Sequence, residues 1–136
     1  MKARNDGEVE SESLRTQLSV LNERSRWYSS QLWQVPFAFL GLGGLAIGAV
    51  IGKNNAAVIG WTFVALGCFG IAVIIHMYGM AGGERRAVQN IQKVEEQLHL
   101  EQTALAKAGI NWRSLHIAVI VATILSFVLG IYLLRL

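Results

Sequence analysis

Charged residues are scarce in this 136-residue sequence: Asp, Glu, Lys and Arg make up 15% of it, against roughly 25% in an average soluble domain. Most of them lie in residues 1–26 and 84–113, and only Lys53 interrupts the apolar sequence between those blocks. Three segments carry no charge: 35–52, 56–78 and 115–134. Helices of soluble proteins show a polar face, so these segments argue against an ordinary soluble domain.

Cysteine, proline and intramembrane charge are also nearly absent. The single cysteine, Cys68, excludes an intramolecular disulfide and a Cys-based metal site. The lack of a carboxylate or lysine within the apolar segments argues against an ion-coupled transporter. The sequence has no metal-ligand cluster, nucleophile-and-base pair or phosphate loop. We therefore predict no catalytic, cofactor-binding or metal-binding residues and no enzyme.

The three uncharged segments have the length of transmembrane helices. A bilayer core of about 30 Å needs roughly 20 apolar residues, and the segments contain 18, 23 and 20. Only residues 53–55 separate the first two segments, which predicts a tight antiparallel hairpin. The first segment follows more than thirty residues of polar sequence, so it is not a cleavable signal peptide. We predict an all-α integral membrane protein with three transmembrane helices.

Basic residues are distributed unequally about these segments. Ten of the twelve lie in the N-terminal region or in residues 79–114, and only Lys53 and Arg135 lie on the other side. The positive-inside rule then places the N terminus in the cytoplasm and the C terminus outside. All nine acidic residues lie on the cytoplasmic side, which leaves that side at +1. We therefore predict no nucleic-acid binding.

Residues 1–33 form a cytoplasmic tail and an amphipathic helix in this interpretation. Residues 1–10 are polar and are expected to be disordered, with Ser11 or Ser13 capping a helix that ends near Trp33. Its apolar stripe has coiled-coil-like spacing for under three heptads, through Leu14, Leu18, Leu21, Ser25, Tyr28 and Leu32. The stripe can pack on the membrane surface or against a second cytoplasmic helix.

A second cytoplasmic amphipathic helix is predicted over residues 84–107. The glycines within residues 79–83 are expected to break the chain before it, and Gly109 to stop it. Its apolar face comprises Val88, Ile91, Val94, Leu98 and Leu105. A helix of this length measures about 36 Å, but residues 108–113 extend only about 20 Å. The helix should therefore lie along the membrane, tilt strongly or break near its middle.

Basic and aromatic residues precede two of the segments. Indole and phenol rings settle at headgroup depth and arginines contact lipid phosphates. The predicted membrane-interface anchors are Arg24, Arg26, Trp27, Tyr28, Trp33, Trp112 and Arg113. Pro36 lacks a backbone N–H and suits the first turn of a new helix. His76 and His116 lie near the cytoplasmic boundary, where headgroups and water are expected to satisfy them.

Small residues recur every four positions in the first and third segments. Such faces allow the close backbone contact on which helix association in lipid depends. The predicted packing residues are Gly44, Gly48 and Gly52 on the first helix, and Ala118, Ala122, Ser126 and Gly130 on the third. The spacing leaves open whether they pack within one chain or between copies.

The motif Glu23-Arg-Ser-Arg-Trp-Tyr28, followed by a two-segment hairpin and a cytoplasmic helix, resembles SLATT-type proteins. The resemblance covers about residues 14–105, and the third transmembrane segment departs from the usual two-segment form. SLATT-type proteins are small helical membrane proteins of bacterial conflict and antiphage systems, thought to be oligomeric pore-forming effectors. The resemblance implies a similar role here and carries over no catalytic residues.

Two functions remain open at this point. In the first, copies assemble into an oligomeric effector that forms a pore or perturbs the inner membrane, held closed by a cytoplasmic latch of Leu18, Leu21, Leu98 and Leu105. In the second, the chain is a non-conducting anchor or scaffold that recruits a cytoplasmic protein partner. The absence of charged pore-lining residues favours the scaffold, and the resemblance favours the effector. The expected partners are the lipid bilayer and further copies of the chain.

Overall fold

The structure is a computed structural model that describes residues 2–53, 55–100 and 110–136, without the side chains of residues 2–6 and 110–112. These residues form three α-helices: α1 (Lys2–Ile51), α2 (Ala56–Gln97) and α3 (Ile110–Leu134). Their lengths are about 75, 63 and 38 Å. Each helix is long and apolar enough to cross a membrane. The prediction of an all-α protein with three such helices is confirmed.

Helix α1 passes through the predicted boundary near Trp33 without interruption. Pro36 lies inside the helix and is buried, so the prediction that it begins a new helix is wrong. Leu32 and Phe39, on either side of it, belong to one buried cluster. Packing on both sides keeps the chain helical through the proline, and a break there would leave more backbone groups without partners.

The helix also begins earlier than predicted. Residues 2–10, expected to be disordered, are helical. Gly7, Glu10 and Leu14 line a shallow groove together with Gln97 and Leu98 near the end of α2. The polar first turns of α1 therefore run beside α2. The composition of residues 2–10 predicted disorder because it does not show that a second helix lies alongside.

Helix α2 likewise continues across residues 79–83, where a break was predicted. Buried residues continue on both sides of the glycines, including Met77, Ala81 and Ala87. Continuous packing against α1 offsets the roughly 1 kcal/mol that each glycine costs a helix interior. The two predicted cytoplasmic amphipathic helices are therefore not separate elements but extensions of α1 and α2.

The part of α2 that follows residue 83 is shorter than the predicted helix 84–107. It ends at Gln97, where the backbone N–H of Leu98 donates to the carbonyl of Val94 (3.0 Å) and that of His99 donates to the carbonyl of Glu96 (3.1 Å). His99 then adopts a left-handed conformation with φ of 54°. A break near the middle of residues 84–107 was one of the three outcomes expected from the chain-length argument. The remainder, including Leu105, Lys107 and Gly109, lies outside the described residues.

The turn between α1 and α2 is as short as predicted. Asn55 has an extended backbone and caps α2, its side-chain oxygen accepting hydrogen bonds from the backbone N–H groups of Ala57 (3.1 Å) and Val58 (3.2 Å). Asparagine is among the residues best suited to this position because its side chain satisfies backbone donors that the first turn leaves open. Two long helices are thereby joined into an antiparallel hairpin.

The three helices form two distinct regions. Helix α3 packs along the membrane-crossing part of α2, and a cluster of Leu32, Phe39, Val73, Met77, Ala81 and Val119 lies at the heart of this three-helix bundle. Beyond the start of α3, residues 2–28 of α1 and 83–97 of α2 continue as a two-helix extension. We call this extension the arm. Helices α1 and α2 both cross from the bundle into the arm without a break.

Candidate functional site

The arm is held together by a narrow apolar seam between its two helices. Leu21, Ile91 and Val94 are buried in it, with Leu14, Leu18 and Leu98 packed against them. The four- and three-residue spacings place these side chains on facing sides of α1 and α2. Three predicted latch residues, Leu18, Leu21 and Leu98, thus meet in one cluster. The fourth, Leu105, lies outside the described residues.

Glu95 is also buried in the arm, although the predicted apolar face of residues 84–107 does not include it. Its side chain is only 3% exposed, and its backbone carbonyl accepts a hydrogen bond from the N–H of Leu100 (2.9 Å). The signal was its position four residues after Ile91, which places both side chains on one side of the helix. The arm therefore contains an ionisable group within its apolar contact.

The bundle contains a second seam, between α2 and α3, built on glycine. A Cβ at Gly60 would lie 3.1 Å from the carbonyl oxygen of Gly130, and one at Gly130 would lie 2.9 Å from that of Gly60. A Cβ at Gly67 would lie 2.7 Å from the Phe127 ring. Gly70 is similarly covered by Thr123. The two backbones approach this closely because glycine has no side chain.

The predicted small-residue face of α3 contributes to this seam in part. Gly130 and Ser126 are buried, Ala122 is half-buried and Ala118 is exposed. Sequence reasoning missed the matching glycines of α2, Gly60, Gly67 and Gly70. Their spacings of seven and three residues place them on one side of a helix. A prediction based on four-residue spacing alone does not include them.

The predicted small-residue face of α1 has a different environment. Apart from the helix's own nearby backbone, the described part of the chain places no atom within 4 Å of a Cβ built at Gly44, Gly48 or Gly52. All three are exposed. Only Gly43, outside the predicted face, points towards α2, where the side chain of Leu66 lies 3.8 Å away. The face is therefore open.

The predicted interface anchors lie at the junction of arm and bundle. Arg24, Arg26 and Arg113 are exposed, and Trp27 and Trp33 are 52% and 40% exposed. Tyr28 instead is half-buried, with its ring 2.7 Å from a Cβ built at Gly83. The Trp112 side chain lies outside the described residues. Exposed indoles and arginines at one level fit a membrane–water boundary.

The two membrane histidines differ from one another. His76 is exposed, but His116 is 5% exposed and packs edge-on to the Tyr78 ring with centroids 4.6 Å apart. The expectation that headgroups and water satisfy both is therefore wrong for His116, which the α2–α3 contact covers. Among the described residues, no group of three or more His, Cys, Asp or Glu side chains is arranged to hold a metal ion.

Comparison with protein families, characterised proteins and solved structures found no match to this chain. The resemblance to SLATT-type proteins therefore stands on the motif and the order of helices alone. Three features of the structure bear on function: an arm closed by a small apolar seam, a bundle closed by a glycine seam, and an open glycine face on α1.

Proposed function

We propose that the chain is an oligomeric effector of the bacterial inner membrane, possessing no enzymatic activity, that forms a pore or perturbs the bilayer. Antiphage defence is the role that the SLATT resemblance implies. The N terminus and the arm lie in the cytoplasm, and the C terminus lies outside. In this account the open α1 face joins copies of the chain, and the arm holds the assembly closed.

The contrast between two sets of glycines carries this proposal. In the α2–α3 seam, Gly60 and Gly130 allow backbones of one chain to touch. On α1, Gly44 and Gly48 have the same small size and the same freedom from side chains but no neighbour among the described residues. The hydrophobic effect contributes little to helix association in lipid, so the favourable energy comes from close backbone packing. A second copy of the chain is the partner that we assign to this face.

The arm supplies the control element. Its seam buries few side chains, each contributing roughly 1.5–3 kcal/mol. In this proposal, the binding of a cytoplasmic molecule to the arm separates its two helices. Because α1 and α2 run unbroken from arm to bundle, separation in the arm displaces the membrane-crossing halves of both helices. In this proposal the arm is the latch.

Oligomerisation is tested with bulk added to the open face. We expect the wild-type chain to be oligomeric in mild detergent by native mass spectrometry, and the Gly44→Leu/Gly48→Leu variant to be shifted towards the monomer. Ala49→Leu is the matched control because it adds similar bulk to an exposed position about 100° around the helix from Gly48. A monomeric wild-type chain, or equal assembly of all three proteins, would refute the proposed interface.

Orientation is tested independently of assembly. Alkaline phosphatase fused after Leu136 should be active because the enzyme folds only outside the cytoplasm, and a fusion after Lys107 should be inactive. The expectation follows from the ten-to-two distribution of basic residues and from the three membrane-crossing helices. The reverse pattern of activity would place the arm outside and exclude a cytoplasmic latch.

The competing function is a scaffold that anchors a cytoplasmic partner and conducts nothing. The uncharged transmembrane segments favour it, because ion pathways usually carry charged or polar rings. The scaffold requires the arm surface rather than the α1 face. A scaffold is expected to bind one cytoplasmic partner through the arm while the membrane potential stays intact. The Leu21→Glu variant distinguishes this outcome from that of an effector.

A further inference from the structure

Three arginines from three different helices lie on one flank of the junction between arm and bundle. The register of the two long helices there is set by two contacts. The Tyr28 ring packs on Gly83, and the Ser29 hydroxyl hydrogen-bonds to the Glu84 carboxylate. Arg26 of α1 and Arg85 of α2 therefore stand at about the same height in the arm.

Both arginines face the side of the hairpin on which α3 lies. Trp33 of α1 borders a groove with Ser114 and Leu115 of α3, and Arg26 precedes Trp33 by seven residues. Tyr78 of α2 packs on His116 of α3, and Arg85 follows Tyr78 by seven residues. Seven residues are close to two full turns, so each arginine lies above its aromatic residue on the same helix face.

Arg113 completes the group from the first turns of α3. It precedes His116 by three residues and is exposed, as are Arg26 and Arg85. Counted along the axes from the Tyr78–His116 contact, Arg85 and Arg113 differ in height by only about 6 Å. Packed helix axes are about 8–10 Å apart. Three long basic side chains therefore surround one shallow area of surface.

Two acids lie near these three arginines. Glu23 lines a surface groove together with Arg26. Burial of Glu84 raises the pKa of its carboxyl above the usual value, while the Ser29 hydrogen bond and the charge of Arg85 lower it. Beneath the arginines, Trp33, Ser114, Leu115 and Ala118 line a groove of about 390 Å³ that opens towards the apolar surface. Below it, the stacked rings of Trp33 and Phe37 face outward.

We propose that Arg26, Arg85 and Arg113 form a binding site for the phosphate headgroup of an anionic phospholipid, with the groove below taking the start of an acyl chain. Guanidinium groups bind phosphate oxygens through charge-assisted, often bidentate hydrogen bonds. The positive charge of the arginines matches the negative charge of a lipid phosphate. An exposed indole and an apolar groove lie beneath them, as expected at the depth of a lipid headgroup. The proposal requires the three membrane-crossing helices and neither a pore nor an oligomer.

The test measures lipid binding to the full chain in detergent by native mass spectrometry. We expect phosphatidylglycerol to bind roughly tenfold or more tightly than phosphatidylcholine, and each of Arg26→Gln, Arg85→Gln and Arg113→Gln to weaken it roughly tenfold. The triple variant should bind both lipids equally. Helix content by circular dichroism verifies that each variant is folded, and the single variants provide the answer if the triple variant is not.

The matched control removes three positive charges elsewhere. Arg15 and Lys93 lie farther along the arm, and Arg86 follows Gly83 by three residues; all three side chains are exposed. Their triple glutamine variant should retain wild-type binding. An equal loss in this control would mean diffuse attraction and overturn the site. Equal wild-type binding of the two lipids, or equally tight binding of inorganic phosphate alone, would overturn it as well.

Discussion

A Gly130→Ala chain should be less stable than the wild type by about 2–3 kcal/mol, which is within the range for overpacking a close contact. The added methyl group would lie 2.9 Å from the carbonyl oxygen of Gly60 and 2.9 Å from the backbone nitrogen of Val64. Both are backbone atoms, so no side chain can rotate away and α2 and α3 must separate. Unfolding by SDS in mixed micelles, followed by circular dichroism, measures the loss.

Gly48→Ala is the control for this experiment. The same methyl group there meets open space among the described residues, and alanine is favoured over glycine within a helix by about 0.5–1 kcal/mol. The monomer should therefore be unchanged or slightly more stable. If both substitutions reduced stability equally, the α2–α3 backbone contact would not be the feature that holds the bundle together.

Leu21→Glu should open the arm and, in an effector, collapse the membrane potential without any stimulus. Leu21 is 8% exposed and packs against Ile91 and Val94. A carboxylate there loses its hydration or forces the helices apart, at a cost of several kcal/mol. Expression in bacteria with a potential-sensitive dye and a growth curve measures the outcome.

Val20→Glu provides the matched control, since the neighbouring side chain is 45% exposed and carries the same new charge into solvent. It should leave both potential and growth at wild-type levels. If Leu21→Glu is inserted in the membrane at wild-type levels and the membrane potential stays intact, the proposed effector function is wrong. Loss of a co-purifying cytoplasmic partner in that variant alone would then support the scaffold.

The absence of charge was sufficient to predict three helices that are long and apolar enough to cross a membrane. Burying an ionised side chain in lipid is costly regardless of its neighbours, so a charge-free segment of sufficient length is informative without tertiary structure. The stripe from Leu14 to Leu32 was informative for a similar reason. Helix geometry alone places residues spaced by three and four on one side, and the structure shows that this side faces α2.

Pro36 and the glycines of residues 79–83 show where local preference failed. Each residue disfavours a helix interior when considered alone. In the structure, both positions lie within long helices that pack against one another on either side. The energy of continuous packing exceeds the local penalty, and it comes from residues distant in sequence, which a local pattern does not identify.

The sequence by itself determined that the chain is helical, that three parts of it can cross a membrane, and that small residues line two of its helices. Only the tertiary structure decided which glycines touch a neighbour. Gly130 and Gly48 occur in similar four-residue patterns, yet one contacts the backbone of α2 and the other is open. A missing side chain has an energetic effect only where another backbone approaches, and that approach depends on how whole helices pack.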